Sequence, residues 1–386
     1  MDFTGRLATL RQRMEADGVD VLFLTRGANL FYLAGVRRQL EHGTDHNAFG
    51  DWACGAYIGR TGGLVLVAPR MGGRFFESEA VDKPWIDRVR LIQESEDPLA
   101  VMRQTIADVA PGARSAAIDD RAWTQTSLAI RELLPEAADS LASTLVMPMR
   151  TIKDADEVAA MRRASEVADL VWERVTPFLK VGVTEYEVAR EVDYQFQLAG
   201  AEYTSFVTGI TFFGPAGVSR GGLLRATAGR ALHPGDSITF DFGCVFDGYC
   251  SDFGRSAFVG EPSPEYLRVH DVVLQAQAAG IQAMRAGQIT GAEVNAIARQ
   301  VIADAGYDAH FTHRLGHAIG VTVHEAPPTL DVVDHTVLQE NMMFTVEPSV
   351  FIPGRLGNRV EDVVMVTQEG GVPLNRASHA LQIVGA

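Results

Sequence analysis

The residues of this sequence best suited to chemistry are acids that recur in pairs within strand-like segments. The segment SITFDFGCVFDGYCSDFGRSAF holds Asp241 and Asp252 on either side of Asp247-Gly248, a dipeptide favoured in two-residue turns with positive φ. With 247 and 248 as the turn, Tyr249 pairs with Phe246 and Asp252 falls opposite Gly243. Asp252 then shares a face with Asp241, two residues further along. Two carboxylates so placed repel each other and raise a pKa unless a cation or a proton lies between them. Taken in isolation, such a pair is more often two ordinary solvated acids.

A second pair repeats the design. Glu347 in MMFTVEPSVF and Glu361 in NRVEDVVMVT lie symmetrically about Gly354 and flank a turn-rich stretch expected over Pro353 to Asn358. Phe344, Val346, Val360 and Val363 crowd them, which favours burial and pairing over a solvated surface. Between the pairs, THRLGHAIGVTVHEAPP carries His313, His317 and His324, three of the ten histidines in the chain. A lone histidine is more often structural, but an imidazole beside four carboxylates is a donor set for borderline or hard divalent ions. His324-Glu325 does not start a zincin motif, because position 328 is proline. Two divalent ions would neutralise four carboxylates and lower the pKa of a shared water, giving a bridging hydroxide near neutral pH. The reaction this suggests is hydrolysis of an amide or similar bond, with a carboxylate handling the proton.

The elements that must position these groups fall in two parts. Leu7, Leu10 and Met14 at helical spacing, then strand-like Val19 to Leu24, open an α/β alternation. It continues through Gly63 to Ala68, Val89 to Ile92, a helix near Leu99 to Val109 and a strand near Ala116 to Ile118. The polar segment from Gly35 to Trp52 lacks either period and is expected to be a long loop. From Met149 the pattern changes to a long amphipathic helix that Asp154 and Glu157 can cap, so residues 1–150 and 151–386 are expected as separate domains. In the second, helices near Thr184 to Ala199 and Pro264 to Arg285 alternate with antiparallel strands around Asp241, Phe258, Glu347 and Val364, an α+β arrangement.

The motifs LHPGDSITFDFG, DGYCSDFGRSAF, HRLGHAIGVTVHE, FTVEPSVFIPG and GNRVEDVVMVT, in this order, resemble the pita-bread metallopeptidases, which include methionine aminopeptidase, Xaa-Pro aminopeptidase and Xaa-Pro dipeptidase (prolidase). The first half, with MRTIKDADEVAAMRRA, resembles the smaller domain of the proline-specific and creatinase-like members. The resemblance implies an α/β N-terminal domain followed by an α+β catalytic domain with a curved antiparallel sheet. It implies that Asp241 binds one metal, Asp252 and Glu361 bridge two, and His317 and Glu347 each serve one, with Glu347 also the proton acceptor. His313 and His324 would contact the substrate or transition state, and Arg359 would hold the carboxylates in place. Implied too are two divalent ions, Mn first with Co, Zn or Fe also accepted, a short proline-containing peptide substrate cleaved at the bond preceding proline, and a homodimer. One position departs from the pattern: Leu224 stands where proline-specific relatives carry a histidine, His233 is too close to Gly235 to replace it, and Arg220 or Arg225 are the candidate substitutes. For the free carboxylate of a dipeptide the candidate cations are Arg37, Arg38 and Arg355, each of which is more often a solvated surface arginine.

Composition narrows the classes. With 34 Lys plus Arg against 49 Asp plus Glu, the formal net charge of -15 repels nucleic acid and anionic membranes. No apolar run is long enough for a membrane span, and the charged N-terminus does not read as a signal peptide. Cys54, Cys244 and Cys250 are too few for a disulfide framework, which fits a reducing, cytoplasmic setting; alternation sets Cys244 out of phase with Asp241 and Cys250 on the face of Asp252, and both are expected to pack in the core or behind the ligands, as free cysteine commonly does. DFG at Asp241 and Asp252 is not a kinase signature, since no H-R-D-L loop accompanies it. Two alternatives stay open: an ectoine-hydrolase-like activity on a non-peptide C–N bond, and a non-catalytic pita-bread binding module.

Overall fold

Val21–Leu24 is apolar on both faces, and it lies inside a six-stranded sheet that needs such a strand. The order across that sheet is Arg88–Ile92, Leu64–Pro69, Gly55–Gly59, Val21–Leu24, Ala116–Ile118 and Asp139–Leu141. Arg88–Ile92 with Leu64–Pro69, Val21–Leu24 with Ala116–Ile118, and Ala116–Ile118 with Asp139–Leu141 pair in parallel, while Gly55–Gly59 runs antiparallel to both neighbours. The computed structural model describes residues 1–38, 49–136, 139–215, 217 and 230–385, and the chain divides into two units, Met1–Arg150 and Thr151–Ala386. Of the loop expected from Gly35 to Trp52, residues 39–48 lie outside the described residues, and Asp51–Ala53 is a 3₁₀ turn. Leu224, Arg220 and Arg225 also lie outside them.

In the second unit, helix starts follow local chemistry. Asp154 and Glu157 form a reciprocal capping box at the head of Ala155–Val175, and Thr184 with Glu187 does the same for Glu185–Leu198. Ser263 and Pro264 begin Pro264–Ala283. A further helix, Gly291–Asp304, was not anticipated, although Thr290 and Glu293 form a third capping box at its start.

Among the described residues the unit has, beside a three-stranded sheet and a two-stranded ribbon, two larger sheets. One runs Gln382–Val384, Phe253–Val259, Ser237–Phe242 and Gly209–Phe213; the other runs Glu325–Leu330, Gly316–Ala318, Met343–Val346, Asp362–Val366 and Gly371–Pro373. All pairings are antiparallel except that of Gln382–Val384 with Phe253–Val259. An isolated bridge between Gly254 and Glu361 joins the two sheets. The first packs under Ala155–Val175 and Glu185–Leu198 and the second under Pro264–Ala283 and Gly291–Asp304, each with its own apolar cluster. Trp172 meets the Phe240 ring at 5.0 Å and Phe196 meets Phe242 at 5.6 Å. Those two phenylalanines therefore face the helices, and alternation turns Asp241 to the other face. Phe253, 6.1 Å from Trp172, sets Asp252 on that same face.

Candidate metal centre

Asp247 and Gly248 both take positive φ, 48° and 76°, and Phe246 pairs with Tyr249, so the turn has the register its dipeptide implies. Beyond it Gly254 pairs with Asp241 and Phe253 with Phe242, which places Asp252 diagonally from Asp241. In the second hairpin Ser349 pairs with Arg359 and Ile352 with Leu356, centred on Gly354. The turn is shorter than the sequence suggests, because Leu356–Arg359 is strand and only residues 353–355 reverse the chain. Glu347 and Glu361 flank this ribbon.

The two hairpins meet. One carboxylate oxygen from each of Asp241, Asp252 and Glu361 lies within 4.8 Å of the other two. His317 Nε2 is 3.4 Å from Asp252 Oδ2 and 3.6 Å from Glu347 Oε1. Its Nδ1 lies 3.2 Å from the carbonyl of Ala318; a proton held there leaves the Nε2 lone pair facing the acids, as a metal-binding imidazole requires. Thr345 Oγ1 accepts from His317 N at 3.1 Å and donates to Glu347 Oε1 at 3.2 Å, tying imidazole and carboxylate together. Asp241 is the most open member, its side chain 41% exposed against 1% for Glu361, so solvent reaches the cluster from the Asp241 side.

Close approach is possible because position 254 has no side chain. A Cβ there would stand 2.8 Å from Glu361 Oε2 and 2.9 Å from Arg359 Cδ. Among the described residues, Arg359 is the guanidinium paired with these acids: it bonds Asp241 directly and lies 3.5 Å from Glu347 and 3.9 Å from Glu361. One positive charge among four carboxylates leaves a large excess. Burial, then the neighbouring acids, push Asp252 and Glu361 well above the carboxylate range. Glu347 is raised to about 7, chiefly by burial, against the opposing pull of Arg359 and His317. Asp252 Oδ1 and Glu361 Oε2 are buried with no hydrogen-bond partner among the described residues. Unsatisfied buried carboxylate oxygens beside an imidazole lone pair are what divalent cations would complete, so the residues present fit such ions.

The remaining histidines stand around this cluster. The His324 ring meets His317 edge-on at 4.2 Å. His313 places Nδ1 2.7 Å from the carbonyl of Arg314 and shares a short hydrogen bond between Nε2 and Ser349 Oγ. Burial lowers both to about 4, aided by Arg359 for His313 and by His317 for His324, so both are neutral at pH 7. Cys244 and Cys250 are buried, with their sulfurs towards the carbonyls of Ala164 and Val321. Two of the arginines considered for a substrate carboxylate have acid partners of their own: Arg37 pairs with Glu79 at 2.7 Å and Arg355 with Glu265 at 2.7 Å.

Sequence reasoning missed two features. Lys153 Nζ forms a buried ion pair with Glu325 Oε2 at 3.0 Å, next to His324. Asp362, beside Glu361, is fully buried; burial pushes its pKa up, but Arg255 and His379 outweigh this and hold it below the usual range. The apolar run VVMV after Asp362 was the available signal of its burial.

Fold and cluster define a pita-bread hydrolase unit behind an α/β domain, and comparison with known proteins agrees. Residues 159–368 match metallopeptidase family M24 and residues 6–152 match the creatinase/prolidase N-terminal domain. The chain belongs to metallopeptidase family M24. It is 32% identical over 309 residues to an Xaa-Pro dipeptidase from Lactobacillus delbrueckii subsp. lactis, a span covering 79% of this chain and 82% of that one. Among solved structures, a recombinant prolidase from Thermococcus sibiricus matches with a TM-score of 0.86 at 29% identity, over 100% of both chains. A dipeptidase from Pyrococcus horikoshii OT3 matches with a TM-score of 0.85 at 28% identity, over 98% of this chain and 100% of that one.

Proposed function

We propose that this metallopeptidase hydrolyses the peptide bond preceding proline in Xaa-Pro dipeptides or short peptides, using two divalent cations held by Asp241, Asp252, His317, Glu347 and Glu361. The observation that carries the reading is the convergence of Asp241, Asp252 and Glu361 within 4.8 Å, with His317 beside them. When bound, the cations supply a water of lowered pKa and a Lewis acid for the scissile carbonyl.

The other steps fall to the chain itself. Asp252 and Glu361, more buried than the other two acids of the cluster, would serve both ions, and Asp241, His317 and Glu347 would serve one each. Glu347, held by Thr345 and close to His317, would be placed to take a proton from the attacking water and return it to the leaving nitrogen. His313 and His324 are neutral and can hydrogen-bond the substrate without adding charge. Arg359 holds Asp241, Glu347 and Glu361 in place. The Xaa-Pro specificity rests on the likeness to the Lactobacillus Xaa-Pro dipeptidase and the Thermococcus prolidase. We take the ions as Mn²⁺ first, with Co²⁺, Zn²⁺ or Fe²⁺ as substitutes, and the protein as a cytoplasmic homodimer with free thiols.

The test is turnover of a prolyl dipeptide, a longer Xaa-Pro peptide and a cyclic amidine by protein reconstituted with defined metals, alongside metal analysis. Cleavage of either proline substrate with about two ions per chain is the expected result. Turnover of the cyclic amidine alone would move the assignment to a non-peptide C–N hydrolase. Fewer than about one ion per chain, without turnover, would favour a non-catalytic module.

A further inference from the structure

The acids of the cluster repel one another, so something must hold the segments that carry them together before any cation arrives. The groups placed to do so bind the backbone and side chains of residues at or next to the ligands. Arg255, on the strand that follows Asp252, donates through Nη1 to the carbonyls of Gly254 at 2.8 Å and Glu361 at 2.6 Å. Its Nη2 reaches Asp362 Oδ1 at 2.7 Å and the carbonyl of Ala377 at 3.1 Å, and its Nε the carbonyl of Ser378 at 3.3 Å. Gln277, on helix Pro264–Ala283, donates from Nε2 to Asp362 Oδ2 at 3.0 Å and to the carbonyl of Val346 at 3.2 Å. His379 Nε2 meets the same Asp362 oxygen at 2.7 Å.

Val346 and Asp362 face each other directly across the strands. The bracket therefore grips the residue before Glu347, the carbonyl of Glu361 itself, the residue after it, and the strand that follows Asp252. Arg255, Gln277 and Asp362 are all buried, at 2%, 2% and 0% exposure. Burying an ion pair is costly, and apolar side chains of similar volume would hold helix and sheets together as well or better. They would not aim hydrogen bonds at chosen carbonyls, which is what keeps neighbouring ligands within a few tenths of an ångström of a working geometry.

We propose that Arg255, Gln277 and Asp362 are positioning residues that preset the spacing of Asp252, Glu347 and Glu361 for divalent cations. This rests on the metal reading above and adds a set of residues that touch neither cation nor substrate. Mn²⁺ is titrated calorimetrically into chelator-stripped full-length protein as wild type, Gln277→Met, Arg255→Lys and Ile302→Val. Gln277→Met keeps the volume and removes both donors, and Arg255→Lys keeps the charge and removes the fork. Ile302 belongs to the apolar core of helix Gly291–Asp304 and controls for general destabilisation. The expected result is roughly 10–100-fold weaker Mn²⁺ binding in Gln277→Met, with Ile302→Val at the wild-type affinity. If Arg255→Lys does not fold, the Gln277 variant carries the test by itself. Wild-type affinity in Gln277→Met would overturn the bracket and leave the metal site standing. No Mn²⁺ binding by the wild type would overturn the metal reading and the bracket with it.

Discussion

Stripped of metal at alkaline pH, the protein should become more stable when one of its own acids is neutralised. Glu347 is raised from 4.5 to about 7, first by burial and then by Asp252 and Asp241, against Arg359 and His317. A folded-state value above the unfolded one means that the folded chain holds the proton more tightly. Its stabilising contribution is then full below pH 4.5 and is lost as pH rises through about 7. At about 1.4 kcal/mol per pKa unit, the ionised side chain costs the metal-free protein about 3 kcal/mol at pH 8 and about 1 kcal/mol at pH 5.5. Glu347→Gln keeps the shape without the charge. For a unit of this size, at roughly 2–4 °C per kcal/mol, the metal-free variant should melt roughly 6–12 °C above the metal-free wild type at pH 8 and about 2–4 °C above it at pH 5.5. With Mn²⁺ present the order should reverse, because the wild type gains the free energy of binding. Scanning calorimetry of both proteins at the two pH values, with and without metal, checks this. A metal-free variant melting at or below the wild type at pH 8, or a gap independent of pH, would refute the reasoning.

Three further outcomes follow from particular contacts. Lys153→Met leaves Glu325 buried without its cation and should cost about 3–5 kcal/mol in denaturant unfolding, most of it recovered in the double variant with Glu325→Gln. Gly254→Ala puts a methyl group 2.8 Å from Glu361 Oε2; Glu361 must move, and equilibrium dialysis should show Mn²⁺ binding weakened about 10-fold, the scale at which small displacements around a metal site act. His324→Ala removes the ring packed on His317; kcat/KM on a prolyl dipeptide should fall about 100-fold while metal content by elemental analysis stays unchanged.

What the sequence alone determined is what local physics determines. Alternation and the Asp247-Gly248 turn set Asp252 diagonal to Asp241, and symmetry about Gly354 set Glu347 opposite Glu361, because strand register depends only on neighbouring residues. The Asp154 and Glu157 capping box marked a helix start for the same reason, whereas helix Gly291–Asp304 went unread although Thr290 and Glu293 cap it. The motif order also placed the chain in its family. The rest was decided only in three dimensions. That the two hairpins meet depends on Gly254 lying against Glu361, a contact between segments over a hundred residues apart in the chain. Arg355, a candidate for the substrate carboxylate by sequence, is held by Glu265, and Asp362 is closed in by Arg255 and Gln277. Charge pairing acts through space and not along the chain, so which acid is solvated, which is neutralised and which awaits a cation is set by packing.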